Sequence, residues 1–190
     1  MVRFLSTLLA LFALAVPLAS HADSYSDTIN IFKKAGASGR FFDTAYGYAV
    51  FPNVGKGGVG IGGAYGKGHV YEKGKYVGDT SMTQVSVGLQ LGGQGYSMIV
   101  FFEDERAFKE FTGGNFEFGA EASAVAITAS ANAKGSTAGS SAGASGGKND
   151  AVTAGSKYNK GMATFTIAKG GLMYEASISG QKFNYKPRKA

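Results

Sequence analysis

The side chains in this 190-residue sequence that could do chemistry are few, and the spacing around each one argues for a quieter role. Gly58-Val59-Gly60-Ile61-Gly62-Gly63 matches G-x-G-x-x-G, the pattern of a dinucleotide-binding turn. Such a turn must open a helix whose N-terminus faces the pyrophosphate, and Ala64-Tyr65-Gly66-Lys67-Gly68 is a poor helix start. A phosphate-binding loop fits no better: Gly66-Lys67 is followed by Gly68 rather than Ser or Thr, and Ile61 stands where the upstream glycine belongs. No nucleotide and no other cofactor is expected. Cysteine is absent and His69 is the sole histidine beyond residue 22, so neither a thiol nucleophile nor a multi-histidine zinc site can be assembled. His69, in the alternating "GHVYEK", is expected to be an exposed strand residue. Glu103, Asp104 and Glu105 cluster where a helix should start and complement its dipole. Glu117 and Glu121 share one strand face and form the only candidate carboxylate pair. A non-enzymatic protein with no catalytic and no metal-binding residue is expected.

Cations beside aromatics make a different kind of site. Lys33, Lys34 and Arg40 lie next to Phe41 and Phe42, a combination suited to a membrane interface, with cations for headgroups and rings for the apolar boundary. Lys56 and Lys67 flank the glycine-rich stretch and could meet a phosphate as point charges. These seven residues are the candidate lipid-binding set. The formal charge of +6 and pI near 9.4 favour anionic partners without choosing among lipid, nucleic acid and acidic polymers.

The N-terminus narrows that choice. Met1-Val2-Arg3, the almost uncharged "FLSTLLALFALAVPLAS" and the small-residue site Ser20-His21-Ala22 have the layout of a secretory signal peptide. Cleavage after Ala22 would leave residues 23–190 as a single domain, periplasmic or secreted, with a net charge of +5 once Arg3 is gone. An exported protein seldom meets nucleic acid, so anionic membrane lipid is the expected partner, through peripheral contact, with no nucleic acid and no nucleotide.

The elements that must hold these residues follow from periodicity. Tyr25, Ile29 and Phe32 predict an amphipathic helix from Ser24 to Ala35, with Ser24 and Asp27 resembling a capping box. Ala107, Phe108 and Phe111 predict a second short helix near 103–112. "TQVSVGLQL" predicts a half-buried strand with Val85, Val87, Leu89 and Leu91 on one face, and "YSMIVFF" a strand buried on both. "NFEFGAEASAVAIT" predicts a further strand, and "GLMYEASISGQKFNY" one or two more. Residues 134–150, nearly all Gly, Ala and Ser, read as a flexible loop. The fold class is therefore α+β, mainly antiparallel twisted β-sheet with an N-terminal amphipathic helix. In the glycine-rich stretch, Gly58, Gly60 and Gly62 should present bare backbone on one side while Val59 and Ile61 pack into the core.

"AYGYAVFPNVGKGGVGIGGAYGKGHVY" resembles the opening signature of the SYLF domain, a lipid-binding family first noted in yeast actin-patch proteins. "VSVGLQLGGQGYSMIVFF", "DERAFKEF" with "FEFGAEASA", and "AKGGLMYEASISG" resemble the family's later blocks in order, over roughly residues 28–185. The resemblance implies a lone SYLF domain of the bacterial exported type, an α+β fold, and binding to anionic lipids, which include phosphoinositides among eukaryotic members. Two departures are the long, bland 134–150 stretch and the lack of a partner domain; actin binding is not carried over. The rival readings are a small outer-membrane β-barrel, against which the chain ends "KPRKA" without an aromatic strand, and an envelope structural or stress protein acting through protein contacts.

Overall fold

Two residues, Lys73 and Gly74, reverse the chain between its two longest strands. Both have positive φ, 49° and 80°, the conformation that a two-residue hairpin loop requires. Strand β1 (Gly47–Glu72) runs antiparallel to β2 (Lys75–Phe102) from Glu72↔Lys75 at the turn to Gly47↔Phe102 at the far end. The two separate strands expected at 83–91 and 96–102 are thus parts of one. The computed structural model describes residues 21–127, 157–169 and 178–189. Residues 1–20 of the expected signal segment, the 134–150 loop and the first part of the last expected strand lie outside them.

Strand β2 is the hub of the sheet. Its edge opposite β1 is shared by two strands, β5 (Met162–Ala168) against Tyr96–Phe102 and β6 (Lys182–Pro187) against Gly78–Thr83. Beyond β6 lies β3 (Phe116–Glu117), and β4 (Val125–Ile127) pairs in parallel with β5. The strand expected from Asn115 onward is therefore two short ones separated by a turn, in which the Ala122 N–H donates to the Gly119 carbonyl. The result is the expected α+β class, a mostly antiparallel curled sheet with short helices.

The long ribbon folds back on itself about residues 58–61. A Cβ on Gly66 would lie 2.8 Å from Val54 Cγ2, and one on Gly68 would lie 2.7 Å from the Phe51 ring, so glycine is what lets the two halves of β1 approach. Gly47 comes equally close to Tyr71, and the Lys73 N–H donates to the Tyr46 carbonyl at 2.9 Å, closing the curl.

Two apolar cores result, one on each side of the sheet. Inside the curl, Phe51, Met98, Phe102 and Phe183 pack with Phe111 of α4 (Glu105–Thr112). Asp104 caps α4, accepting from the Ala107 N–H at 2.8 Å, so the acidic cluster there is structural as expected. Outside the curl, helices α1 (His21–Lys34), α2 (Gly36–Gly39) and α3 (Phe41–Thr44) cover Val50, Ile99, Phe101 and Phe165. Ser24 lies one turn inside α1 rather than at its N-cap, so the expected capping box does not start the helix. "YSMIVFF" is buried on both faces because these two cores meet there.

Candidate functional site

Which face a strand residue takes depends on a single residue of register. In the first part of β1, odd positions point inward, since Ala49 and Phe51 belong to the inner core while Val50 lies under the helices. Phe51 is opposite Met98 and Val54 opposite Tyr96, so β1 carries one extra residue at Pro52-Asn53. Proline lacks the N–H a regular ladder needs and within sheets is found at edges, strand ends and such bulges. The freed Pro52 carbonyl accepts from Ser97 Oγ at 2.8 Å. Beyond the bulge the parity reverses: Val54, Ala64 and Val70 point inward, as do Gly62, Gly66 and Gly68.

The consequence overturns the expectation for the glycine-rich stretch. The glycine side faces inward, and Val59 and Ile61 stand in solvent at 79% and 70% exposure. Tyr65 and Lys67 continue the same outer face. Across the ladder, Val85 sits opposite Gly63, which offers no side chain to cover it, and is 79% exposed. Its neighbour Gln84 is the one turned inward, where its amide donates to the Ser179 carbonyl at 2.9 Å. The half-buried strand predicted with Val85 in the core is therefore inverted at this position. Val59, Ile61, Tyr65 and Val85 make an apolar patch at the fold of the ribbon, bordered by Lys67.

The seven residues chosen from the sequence do not come together. Lys67 lies beside the patch, while Lys56 has the inward parity, is half-buried and pairs across the ladder with Gln94. The other five belong to the opposite end of the ribbon. Phe41 is a core residue, 3% exposed, with its ring against Phe101, Tyr158 and Phe165, so as placed it offers no anchor to a bilayer. Phe42 is half-buried against Tyr48 and Phe101. Lys34 is exposed at the end of α1, Arg40 lies over the Phe41 ring at 5.3 Å, and Lys33 over Phe42 at 5.4 Å. Sequence reasoning missed Tyr65 as a surface residue and placed Val59, Ile61 and Val85 indoors. The signal that could have found them is Pro52, read as a bulge that flips parity.

The residues with chemical potential are structurally committed. His69 is half-buried rather than exposed: Tyr25 of α1 stacks on its ring at 3.5 Å, and its Nε2 is 3.4 Å from Asp79. Burial lowers its pKa, and the Asp79 carboxylate opposes this more weakly. Glu121 is paired with Lys160, which holds its carboxyl below the usual range, and Glu117 is 3.8 Å from Lys182. For Glu121 that is the opposite of the raised pKa a general acid needs. Among the described residues, no cluster of three or more His, Asp or Glu could hold a metal ion.

Comparison with known proteins places these features in context. The family model Ysc84, described as Las17-binding protein actin regulator, matches residues 83–188. Beta cell expansion factor A of Aeromonas veronii is 31% identical over 165 residues, a match covering 82% of this chain and 51% of that protein. The chain thus spans about half the length of that relative.

Proposed function

The chain belongs to the Ysc84, or SYLF, family, which is known for lipid binding, and from that premise we propose that it is a non-enzymatic protein that docks on anionic membranes through the fold of its β1–β2 ribbon. The observation that carries this reading is the inverted stretch, where valine and isoleucine face outward while glycine and Gln84 face inward. Scattered exposed apolar residues are ordinary, whereas a contiguous patch rimmed by polar groups marks a contact surface. Bringing a Val or Ile out of water stabilises by about 1.5–3 kcal/mol each, against roughly 1 kcal/mol for a lysine near an anionic surface. Apolar contact therefore sets affinity and Lys67 sets the preference for acidic lipid. The signal-like N-terminal segment supports action in the periplasm or outside the cell, after export.

Among the described residues no helix is long and apolar enough to cross a membrane. The outer-membrane barrel is the weaker reading. A lipid-embedded barrel needs an apolar band around its whole outer face, and here α1, α2 and α3 cover part of that face while aromatic side chains fill the interior. The test is flotation with neutral and anionic vesicles over a salt series. Binding to anionic vesicles, weakened at least ten-fold by Val59→Ser with Ile61→Ser, is expected; undiminished binding by that variant would remove the ribbon fold from the account.

A further inference from the structure

At the other end of the ribbon, the start of β1, the hairpin turn and the short helices enclose a cleft of about 460 Å³. Lys33 from α1 and Lys73 from the turn both line it, together with Phe42, Tyr46, Tyr48 and a single carboxylate, Asp43. We propose that this cleft is a binding site for a phosphate monoester, held between Lys33 and Lys73.

Three observations converge on it. Neither lysine has a carboxylate within ion-pair distance among the described residues, Glu105 acting on Lys73 only from farther away, whereas Lys109, Lys160, Lys182 and Arg106 all do. Each exposed ammonium group has an aromatic ring beneath it: Lys33 lies over the Phe42 ring at 5.4 Å and Lys73 over the Tyr46 ring at 5.1 Å. Cation–π seating of this kind lowers the ordering cost of binding. The nearest acid to Lys73 in sequence, Glu72, is engaged by the Tyr46 hydroxyl, which donates to it at 2.5 Å. Two compact cations, each a point charge with rotatable donors, match the dianion of a phosphate monoester. Asp43, the one carboxylate lining the cleft, opposes an anion there, so its removal should tighten binding.

The site is separate from the lipid contact. Gly47 at the cleft and Val59 at the ribbon fold are parted by a strand contour of roughly 40 Å at ~3.3 Å per residue. The phosphate can reach the cleft on a small soluble molecule or on a lipid headgroup, and the experiment separates these.

Titrate the full chain by calorimetry with glycerol 3-phosphate and inorganic phosphate at low salt, and float it with phosphatidic acid vesicles. Saturable binding of both soluble anions is expected, at least ten-fold weaker in Lys33→Gln and in Lys73→Gln, retained in Lys73→Arg, unchanged in Lys56→Gln and tighter in Asp43→Asn. Thermal melts at the wild-type midpoint show that the glutamine variants are folded. Soluble-anion binding that ignores Lys73→Gln overturns the proposal. So does phosphatidic acid binding by the Val59→Ser with Ile61→Ser variant, which lacks the ribbon contact, that glycerol 3-phosphate does not compete. The Val59→Ser with Ile61→Ser variant should bind glycerol 3-phosphate normally, so failure here is distinguishable from failure of the lipid reading.

Discussion

The outer face of β2 behaves in two opposite ways along its length. At Ile99 and Phe101 it is fully buried beneath α1, α2 and α3, while at Val85, on the same side of the same strand, it is bare. The residue types hardly differ; the covering layer does. A strand face of this composition gains free energy where something apolar covers it, so the bare stretch is a surface that profits from contact. At one end the chain supplies the cover itself, and at the other the proposed function has lipid supply it.

The comparison can be broken most forcefully at the covered end. Phe101→Ala should cost about 3–5 kcal/mol, as truncation of a buried phenylalanine does, whereas Val85→Ala should stay within about 0.5 kcal/mol of wild type. Chemical denaturation of both variants checks the contrast, and equal losses would mean that Val85 is covered within the chain. A smaller effect is expected where the ribbon doubles back. Gly68→Ala places a methyl group against the Phe51 ring and should cost about 1–3 kcal/mol. Gly55→Ala meets nothing within 4 Å and should leave stability unchanged or raised by up to about 1 kcal/mol.

The smallest effect concerns the Tyr25–His69 stack that ties α1 to the sheet. Burial holds the folded His69 below its ordinary pKa near 6.5, so the unfolded chain takes up its proton first as pH falls. His69 thus favours folding above pH 6.5, and that contribution declines as pH drops through 6.5 toward the folded value, then levels off. Denaturation midpoints measured from pH 8 to pH 5 should show this decline, and His69→Phe, which keeps the stack, should flatten it.

Much of the architecture was legible in the sequence because it depends on local signals. The helical spacing of Ala107 and Phe111 and the acidic start at Asp104 define α4, and the unbroken apolar run from Tyr96 marks the doubly covered strand. What could not be read was the sense of the alternation. Period two says that Val59 and Ile61 share a face but not which face, and the bulge at Pro52 decides it by shifting parity one residue upstream. Phe41 and Phe42 look alike in sequence, yet only the outer core distinguishes the buried ring from the half-buried one. The pairing of Lys33 with Lys73 in one cleft depends on ribbon closure through Tyr46, which joins residues forty positions apart and leaves no mark on either segment.

The chain contains no tryptophan, so a single introduced indole reports its own surroundings without background. The most direct measurement compares Ile61→Trp at the ribbon fold with Ile31→Trp on α1, both at exposed positions, by fluorescence on anionic vesicles containing brominated lipid. The account predicts a blue shift and bromine quenching at position 61 with neither at position 31. A shift and quenching at position 31 alone would contradict it, and would return the membrane contact to the helical end of the molecule.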